Sequence, residues 1–418
     1  MDRELVVEKL KETLPELKEK KLTGLSLSER LETSKIIQQF EITKPLAQVL
    51  EKQDEFNKPK NLHVNHGLGS MQFQPAAAAL FLCRQAEKVS TEAAVDSLID
   101  IFGKTEADLL CVMSLRGVTC QKNIQLTKTI QMVPLASLPP SWRKLCLTKP
   151  DPVDISGESS AFNPFRVKRS DLERVFLITS IKIKPVLFDY ETIGDQDSLF
   201  PTINEAFISL DEVRLCLTSI GNCSPLEENR WNQFKDEVLE DAANASSRVS
   251  YIPIEIIPQR LRKSEPIQEE TVVSIVKSYF KLPRKFQNQV IRALDRLNQA
   301  MRRSTVGDRA VELSIALESV LLGTERGDNR FKVSLRSGIV FSHDLDKRTQ
   351  CRKAIKEMYD IRSDLVHNGN DNNSDPRKKD VIEQAITFSA EIIKNLIING
   401  KPPNWTMLEL SGKSIKET

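Results

Sequence analysis

Residues 347–369 read KRTQCRKAIKEMYDIRSDLVHNG and carry the pattern of one long helix. With Met358 placed at zero and 100° per residue, three apolar residues lie within about 60° of it: Ala354, Ile361 and Leu365. Such a stripe is typical of a helix that packs against other helices. Asn368-Gly369 then forms a helix stop, because glycine readily adopts the left-handed conformation of a C-cap. We therefore predict a bundle helix that ends near residue 368.

The helical pattern extends on both sides of this segment, from about residue 265 to residue 399. Residues 283–303 form an amphipathic helix with one apolar stripe, which comprises Phe286, Val290, Leu294, Leu297 and Met301. The next helix, in residues 308–323, ends at Gly323 as a C-cap would. Together with residues 331–341 and 376–399, these segments predict a bundle of about five helices.

The first 260 residues have a different pattern. Residues 1–60 predict a pair of amphipathic helices, and the alanine-rich residues 75–102 predict two more, with Ser90 as the cap of the second. Short apolar runs in residues 107–137 and 174–190 predict strands. A helix is expected over residues 203–221 and a late strand over residues 247–257.

The predicted fold class is therefore α+β, with an N-terminal helical and mixed α/β region followed by an all-α bundle. We divide the chain into a helical segment (residues 1–60), a mixed α+β domain (61–262), a helical bundle (263–400) and a C-terminal tail (401–418). The length of 418 residues agrees with more than one domain.

Composition excludes several classes of protein. The chain has 40% hydrophobic and 28% charged residues, no long apolar run and no signal-peptide pattern, so we expect a soluble cytoplasmic protein without a membrane span. Seven cysteines without a CxxC pair suggest neither disulfides nor zinc. His63 and His66 have a spacing compatible with metal, but no third ligand follows, and we interpret them as a loop. Phosphate-loop and nucleophile-elbow motifs are missing, so NTPase and nucleophile-elbow hydrolase functions lack support. We expect no cofactor and no metal.

The end of the predicted helix concentrates chemically useful side chains. His367 falls in the last turn and is the side-chain type best suited to proton transfer near neutral pH. Asp364, three residues earlier, is placed to hydrogen-bond the ring, and Ser363 shares the face of His367. Arg362 offers a planar, permanently charged fork suited to phosphate. These are the groups that a metal-independent phosphodiester reaction needs.

The same residues have a simpler explanation that the pattern leaves open. An arginine, an acid and a histidine at a helix C-terminus often form only a local ion pair and cap. Tyr359 and Val366, however, fall about 100° and 80° from Met358, outside the core stripe. We interpret them, with Arg362 and His367, as a second helix face directed toward a partner surface.

The segment RSDLVHNG, preceded by LSIALESVLLG and FKVSLRSGIVF, resembles the Apea-like branch of the HEPN superfamily over roughly residues 265–400. The mark of that superfamily is an arginine followed by four residues and a histidine near the end of a bundle helix. The strand-containing region around residues 114–135 also looks like the N-terminal domains found in front of such modules. Glu318 and Arg336 match positions characteristic of the family, and we interpret them as polar pairs inside the bundle.

The resemblance implies a metal-independent endoribonuclease that acts as a toxin or an anti-phage defence effector, with RNA as substrate. Two bundles would pack as a homodimer, so that both arginine–histidine pairs meet in one cleft. His367 would then act on the ribose 2′-OH or the leaving oxygen, and Arg362 would neutralise charge on the phosphorane. The preceding domain would sense a trigger or restrain the cleft, through a partner that the sequence does not name.

The chain departs from the family at one position. Many active members carry Asn, Asp or His directly after the arginine, whereas this chain has Ser363 there and an acid at Asp364. The alternative function is therefore a non-catalytic dimerisation or nucleotide-binding module with a regulatory role, in which Arg362 and His367 are structural.

A basic stripe offers a candidate RNA-binding surface. Residues 281–310 contain eight basic and two acidic residues, and four of the basic ones fall on the helix face opposite the apolar stripe: Lys285, Arg292, Arg296 and Arg303. A solvated helix face and a track for the RNA backbone both explain this pattern. The aromatic content of 6% argues against base-specific recognition.

Overall fold

The computed structural model describes residues 1–22, 33–59, 61–65, 70–141, 144, 147, 174–191, 201–221, 223–243, 250–251, 266–323, 325, 327–369 and 373–415. These residues form a mixed α+β protein, as predicted, with the sheets in the N-terminal part and a C-terminal helical region. None of the described helices combines the length and the apolar composition that a bilayer crossing requires.

The N-terminal helices agree with the prediction. The described part of residues 1–60 contains two long helices and one short one: α1 (Arg3–Glu19), α2 (Thr33–Glu51) and α3 (Asp54–Asn57). Two more follow: α4 (Pro75–Lys88) and α5 (Thr91–Gly103). Ser90 caps α5 as expected, because its Oγ accepts a hydrogen bond from the backbone N–H of Ala93 at 3.1 Å.

The centre of the N-terminal part is an antiparallel six-stranded sheet. Its strands are β3 (Ala107–Arg116), β4 (Ile124–Gln125), β5 (Ile130–Pro134), β6 (Val175–Ile183), β8 (Leu226–Phe234) and β9 (Ser250–Tyr251). Their order across the sheet is β4-β5-β6-β3-β8-β9. The central strand β3 pairs with β6 from Ala107 opposite Ile183 to Leu115 opposite Val175. Its residues from Leu109 to Arg116 are buried, because both faces of the sheet are covered.

Strand β8 was not predicted, because its sequence LEENRWNQF reads as polar. The sheet accommodates this polarity by pairing charges: the Glu228 carboxylate forms buried ion pairs with Arg116 and Arg174. Trp231 on the same strand is buried and packs edge-on against Phe176 at 5.9 Å between ring centroids. Internal pairing thus allows a charged segment to lie next to the central strand.

A second sheet has the order β2-β1-β7 and contains β1 (Leu62–Asn65), β2 (Ser70–Gln72) and β7 (Leu187–Asp189). The loop interpretation of His63 was therefore wrong, because that residue lies in a strand. Helix α6 (Pro201–Leu217) confirms the predicted helix, and α7 (Glu237–Ala243) follows β8. The late strand is confirmed at Ser250–Tyr251, and the rest of that prediction, residues 247–249 and 252–257, lies outside the described residues.

The C-terminal helical region has more helices than the five predicted. Residues 263–400 contain α8 (Glu269–Tyr279), α9 (Arg284–Arg302), α10 (Val306–Leu321), α11 (Asn329–Phe341), α12 (Leu345–Asn368) and α13 (Pro376–Asn399). The five predicted helices did not include α8, although the helical pattern was predicted to begin near residue 265. Gly323 ends α10 in the left-handed conformation with φ +61°, as expected.

The predicted C-terminal tail also contains a helix, α14 (Trp405–Ser411). Arg336 on α11 anchors it: the buried guanidinium donates to Glu409 at 2.7 Å and lies 4.8 Å from the centroid of the Trp405 ring. The other donors of Arg336 reach the Glu325 carboxylate and the carbonyl of Leu321. The predicted polar pairing of Arg336 inside the helical region is confirmed.

The sheet-containing part and the helical region share one continuous hydrophobic core. Asn298 on α9 lies at their junction and is completely buried. Its amide donates to the Thr218 hydroxyl and the Pro225 carbonyl, both at 3.1 Å, and its oxygen accepts from Ser224 at 3.1 Å. Because these bonds satisfy both ends of the amide, the junction is fixed by specific contacts.

Candidate functional site

The candidate site lies at the C-terminal end of α12, and local sequence explains its position. Asp344 caps the start of this helix by accepting a hydrogen bond from the N–H of Lys347 at 2.9 Å. Gly369 ends it with φ +66° and donates its N–H to the Leu365 carbonyl at 3.0 Å. His367 therefore lies in the final turn, as predicted.

Tyr359 does not face outward as expected. Its side chain is only 5% exposed, and its hydroxyl donates to the Glu318 carboxylate on α10 at 2.8 Å. Burial, together with the negative charge of Glu318, raises the pKa of the Tyr359 hydroxyl. The prediction was wrong because it assumed one apolar stripe, whereas α12 packs against α10, α11 and α13 at once.

Arg362 is partly buried beside Tyr359. The centre of its guanidinium lies 6.0 Å from the centroid of the Tyr359 ring, at the outer limit of a cation–π contact. Its Nε is buried and has no hydrogen-bond partner within the described part of the chain. No carboxylate among the described residues forms an ion pair with this guanidinium.

His367, Ser363 and Val366 are exposed at the surface of the helix end, with Val366 at 55%. Arg362 and His367 are five residues apart, which places them about 140° apart around the axis and about 7.5 Å apart along it. Their Cα–Cβ bonds therefore point to different sides of α12. Of the predicted second face, Val366 and His367 are confirmed as exposed.

Asp364 does not contact the His367 ring as the sequence suggested. Its carboxylate accepts from Lys378 on α13 at 3.0 Å and from the Asn368 amide at 3.4 Å. The hydrogen bond from Lys378, with its charge, lowers the pKa of Asp364. Sequence reasoning missed Lys378, because a partner on the following helix leaves no periodic signal in α12. This ion pair ties the candidate site to α13.

The four residues of the basic stripe divide into two groups. Lys285 and Arg292 are exposed on α9, as a binding surface requires. Arg296 and Arg303 instead form ion pairs with Glu312 on α10, at 3.1 and 2.7 Å. Because the Glu312 side chain is only 8% exposed, these two arginines neutralise a nearly buried acid, which reduces the charge that the stripe presents.

His63 makes contacts that differ from those of a metal ligand. Its two ring nitrogens hydrogen-bond the Ser70 hydroxyl at 2.9 Å and the Asn61 side-chain oxygen at 3.1 Å, and its ring stacks on Tyr190. His66 lies outside the described residues. Within the described ranges, no cluster of three or more His, Cys, Asp or Glu residues is arranged to hold a metal ion.

Glu318 on α10 contacts the candidate site through the Tyr359 hydroxyl. The sequence indicated a polar contact inside the bundle, which the structure confirms, with Tyr359 as the partner. Gly307, near the start of α10, allows close approach of the same two helices, because a Cβ there would lie 3.0 Å from Leu365.

Comparisons of the chain with protein-family models, with curated proteins and with solved structures yielded no match. The functional argument therefore depends on the geometry at the end of α12 and on the sequence pattern.

Proposed function

We propose that this chain is a metal-independent endoribonuclease of the HEPN type, with an active site composed from the α12 ends of two copies. The observation that carries the proposal is the presence at this helix end of an exposed histidine, His367, and of an arginine, Arg362, whose guanidinium forms no ion pair within the described residues. A proton-transfer group and an available cation are the two elements that RNA cleavage without metal requires.

The chemistry follows from these two side chains. One His367 removes the proton from the ribose 2′-OH, and the resulting oxygen attacks the adjacent phosphorus. The bond from phosphorus to the 5′-oxygen breaks, and His367 of the second copy supplies the proton to that oxygen. Arg362 stabilises the negative charge that accumulates on the phosphorane. The products are a 2′,3′-cyclic phosphate and a 5′-hydroxyl, and DNA is not cleaved because it lacks the 2′-OH.

A dimer resolves the geometry that a single helix end presents. Arg362 and His367 point about 140° apart on one helix, whereas two facing helices bring an arginine of one copy toward a histidine of the other. Val366 lies next to His367 and is 55% exposed, so it provides an apolar contact between the copies. The solution mass of the active protein should correspond to a dimer of the 47.4 kDa chain.

The remaining predicted site residues have supporting roles in this proposal. Ser363 is exposed at the position where many active relatives have a side chain with a larger polar group. Asp364 forms an ion pair with Lys378 on α13, which holds the helix end against that helix. Lys285 and Arg292 contact the RNA backbone, and Arg296 and Arg303 contribute less because Glu312 balances them. Residues 1–262 would sense a trigger, as in a toxin or a defence effector.

The test is cleavage of diverse RNAs in the presence of EDTA. We expect the wild type to cleave and Arg362→Ala and His367→Ala each to lose activity by about 100-fold or more. Arg352→Ala is the matched control, because Arg352 is an exposed arginine on the same helix that lies over the Phe331 ring. Its activity should equal that of the wild type.

Two results would overturn the proposal. One is unchanged cleavage in both variants at the helix end. The other is a wild type that neither cleaves RNA nor slows growth when expressed. If the protein is a monomer under the conditions in which it cleaves RNA, the active site shared by two copies is wrong, but the ribonuclease activity is not.

A second function is favoured by the contacts of Asp364. Since this carboxylate binds Lys378, the His367 ring lacks the acid that was expected to orient it. In a non-catalytic dimerisation or nucleotide-binding module, Arg362 would bind a phosphate group without cleavage. Nucleotide binding that Arg362→Ala abolishes and His367→Ala leaves intact, without any RNA cleavage, distinguishes this function.

A further inference from the structure

We propose that Tyr359, held by Glu318, is the positioning residue for Arg362. The inference deepens the proposed ribonuclease function, on which it depends for its catalytic consequence. It assigns a role to two residues that the cleavage chemistry itself does not use.

The first step is that Tyr359 has a fixed position. Its side chain is 5% exposed, so its ring is enclosed by neighbouring side chains. Its hydroxyl is bound at 2.8 Å by Glu318, which belongs to a different helix, α10. Because burial and the Glu318 charge raise the pKa of the hydroxyl, Tyr359 stays a neutral hydrogen-bond donor at physiological pH.

The second step is that Arg362 depends on this ring. The two residues are three positions apart on α12, which places them as neighbours on the helix surface. The guanidinium centre lies 6.0 Å from the ring centroid, while the buried Nε has no hydrogen-bond partner in the described residues. An arginine side chain has several rotatable bonds, and here the aromatic ring takes the place of the ion pairs that usually restrict them.

The third step is that the arrangement keeps the guanidinium available. A direct ion pair between Glu318 and Arg362 would neutralise the charge that a phosphate must meet. The structure instead interposes the Tyr359 phenol, so that the acid binds the hydroxyl and the ring contacts the cation. The acid fixes the orientation of Arg362 without occupying its donors.

The experiment compares Tyr359→Phe, Glu318→Ala and Glu318→Gln in the full-length protein. Arginine side-chain NMR reports the order of the Arg362 Nε–H group, with its signal assigned by its loss in Arg362→Lys. We expect Tyr359→Phe and Glu318→Ala to increase the mobility of this group. Glu318→Gln keeps an oxygen that accepts from the Tyr359 hydroxyl and should restore the wild-type order.

The matched control is Asp360→Asn, on the same helix. Asp360 forms an exposed ion pair with Arg330, so its replacement removes a charged contact of α12 without altering the Tyr359 ring. The order of Arg362 and the rate of RNA cleavage should both match the wild type. Thermal unfolding of each variant checks that it is folded.

Kinetics give the second readout. In Tyr359→Phe and Glu318→Ala we expect kcat to fall by about 10- to 100-fold with little change in KM, because a misdirected guanidinium affects the transition state most. Glu318→Gln should keep the wild-type kcat. A purely structural role would lower the melting temperature of the variants and leave kcat and the Arg362 signal unchanged.

The outcomes separate this inference from the proposed function. If the wild type cleaves RNA but the Arg362 signal and kcat are unchanged in folded Tyr359→Phe and Glu318→Ala, the positioning role is wrong and the ribonuclease stands. If the wild type does not cleave RNA but the Arg362 order changes as expected, the positioning of the side chain is established and its catalytic consequence is wrong.

Discussion

Glu240→Gln should stabilise the protein at alkaline pH and leave its stability in acid unchanged. Glu240 lies on α7, where its carboxylate accepts a hydrogen bond from the N–H of Phe234 at 2.7 Å. Burial, the largest cause, raises its pKa from 4.5 to about 7; the Phe234 N–H opposes this increase and the Asp241 charge adds to it. The folded protein therefore binds this proton more tightly than the unfolded chain does.

The sign of the pH dependence follows from that difference. The stabilisation by the protonated carboxyl is complete below pH 4.5 and is lost as the pH rises through 7. The difference between the two pKa values corresponds to about 3 kcal/mol in the free energy of unfolding. A glutamine at this position cannot ionise and still offers an oxygen to the Phe234 N–H.

Urea unfolding between pH 4 and pH 8 measures the effect. The free energy of unfolding of Glu240→Gln should match that of the wild type near pH 4 and exceed it by about 3 kcal/mol near pH 8. Glu237→Gln is the control, because Glu237 is an exposed acid on the same helix. A difference between Glu240→Gln and wild type that stays constant with pH would refute the reasoning.

Three further predictions concern packing. Asn298→Ala should lower the free energy of unfolding by about 3 kcal/mol, measured by thermal unfolding, because the buried groups that accept from the amide lose these hydrogen bonds. Gly307→Ala should cost about 1–3 kcal/mol, because the new Cβ meets Leu365 at 3.0 Å. Leu365→Ala removes the Cγ and Cδ2 atoms but keeps the Cβ at 3.1 Å, so it should relieve the clash in part and a double-mutant cycle should be non-additive. Arg336→Met should release α14, detected as faster hydrogen exchange in residues 405–411, whereas unchanged exchange would contradict the anchoring role.

Local signals in the sequence predicted many element boundaries. Ser90 marked a helix start through its capping hydroxyl, and Gly369 marked a helix end through its left-handed conformation. Both signals act within four residues of the chain, so they do not depend on the tertiary fold. The existence of α12 and the position of His367 in its last turn were therefore predictable.

Contacts between distant segments were not predictable in the same way. Glu312 on α10 forms ion pairs with Arg296 and Arg303 and so reduces the positive charge that the basic stripe presents. The helical period of α9 could not predict these ion pairs, because their acid lies on another helix. The exposure of Tyr359 was wrongly predicted for the same reason, because its burial depends on the packing of α12 against α10, α11 and α13. Strand β8 was not predicted, because the charge of Glu228 is balanced by Arg116, which lies on another strand.

The junction around Asn298 affects how the protein can be divided. Separating the chain near residue 263 would expose the apolar surfaces of α9 and α13 and remove Thr218 and Pro225 from the Asn298 amide. The C-terminal helices are therefore not a portable module, and a graft onto another sheet domain would need a new interface designed with it. Substitutions on the two sides of this junction must be compatible with each other, so the two parts of the chain are constrained to evolve together.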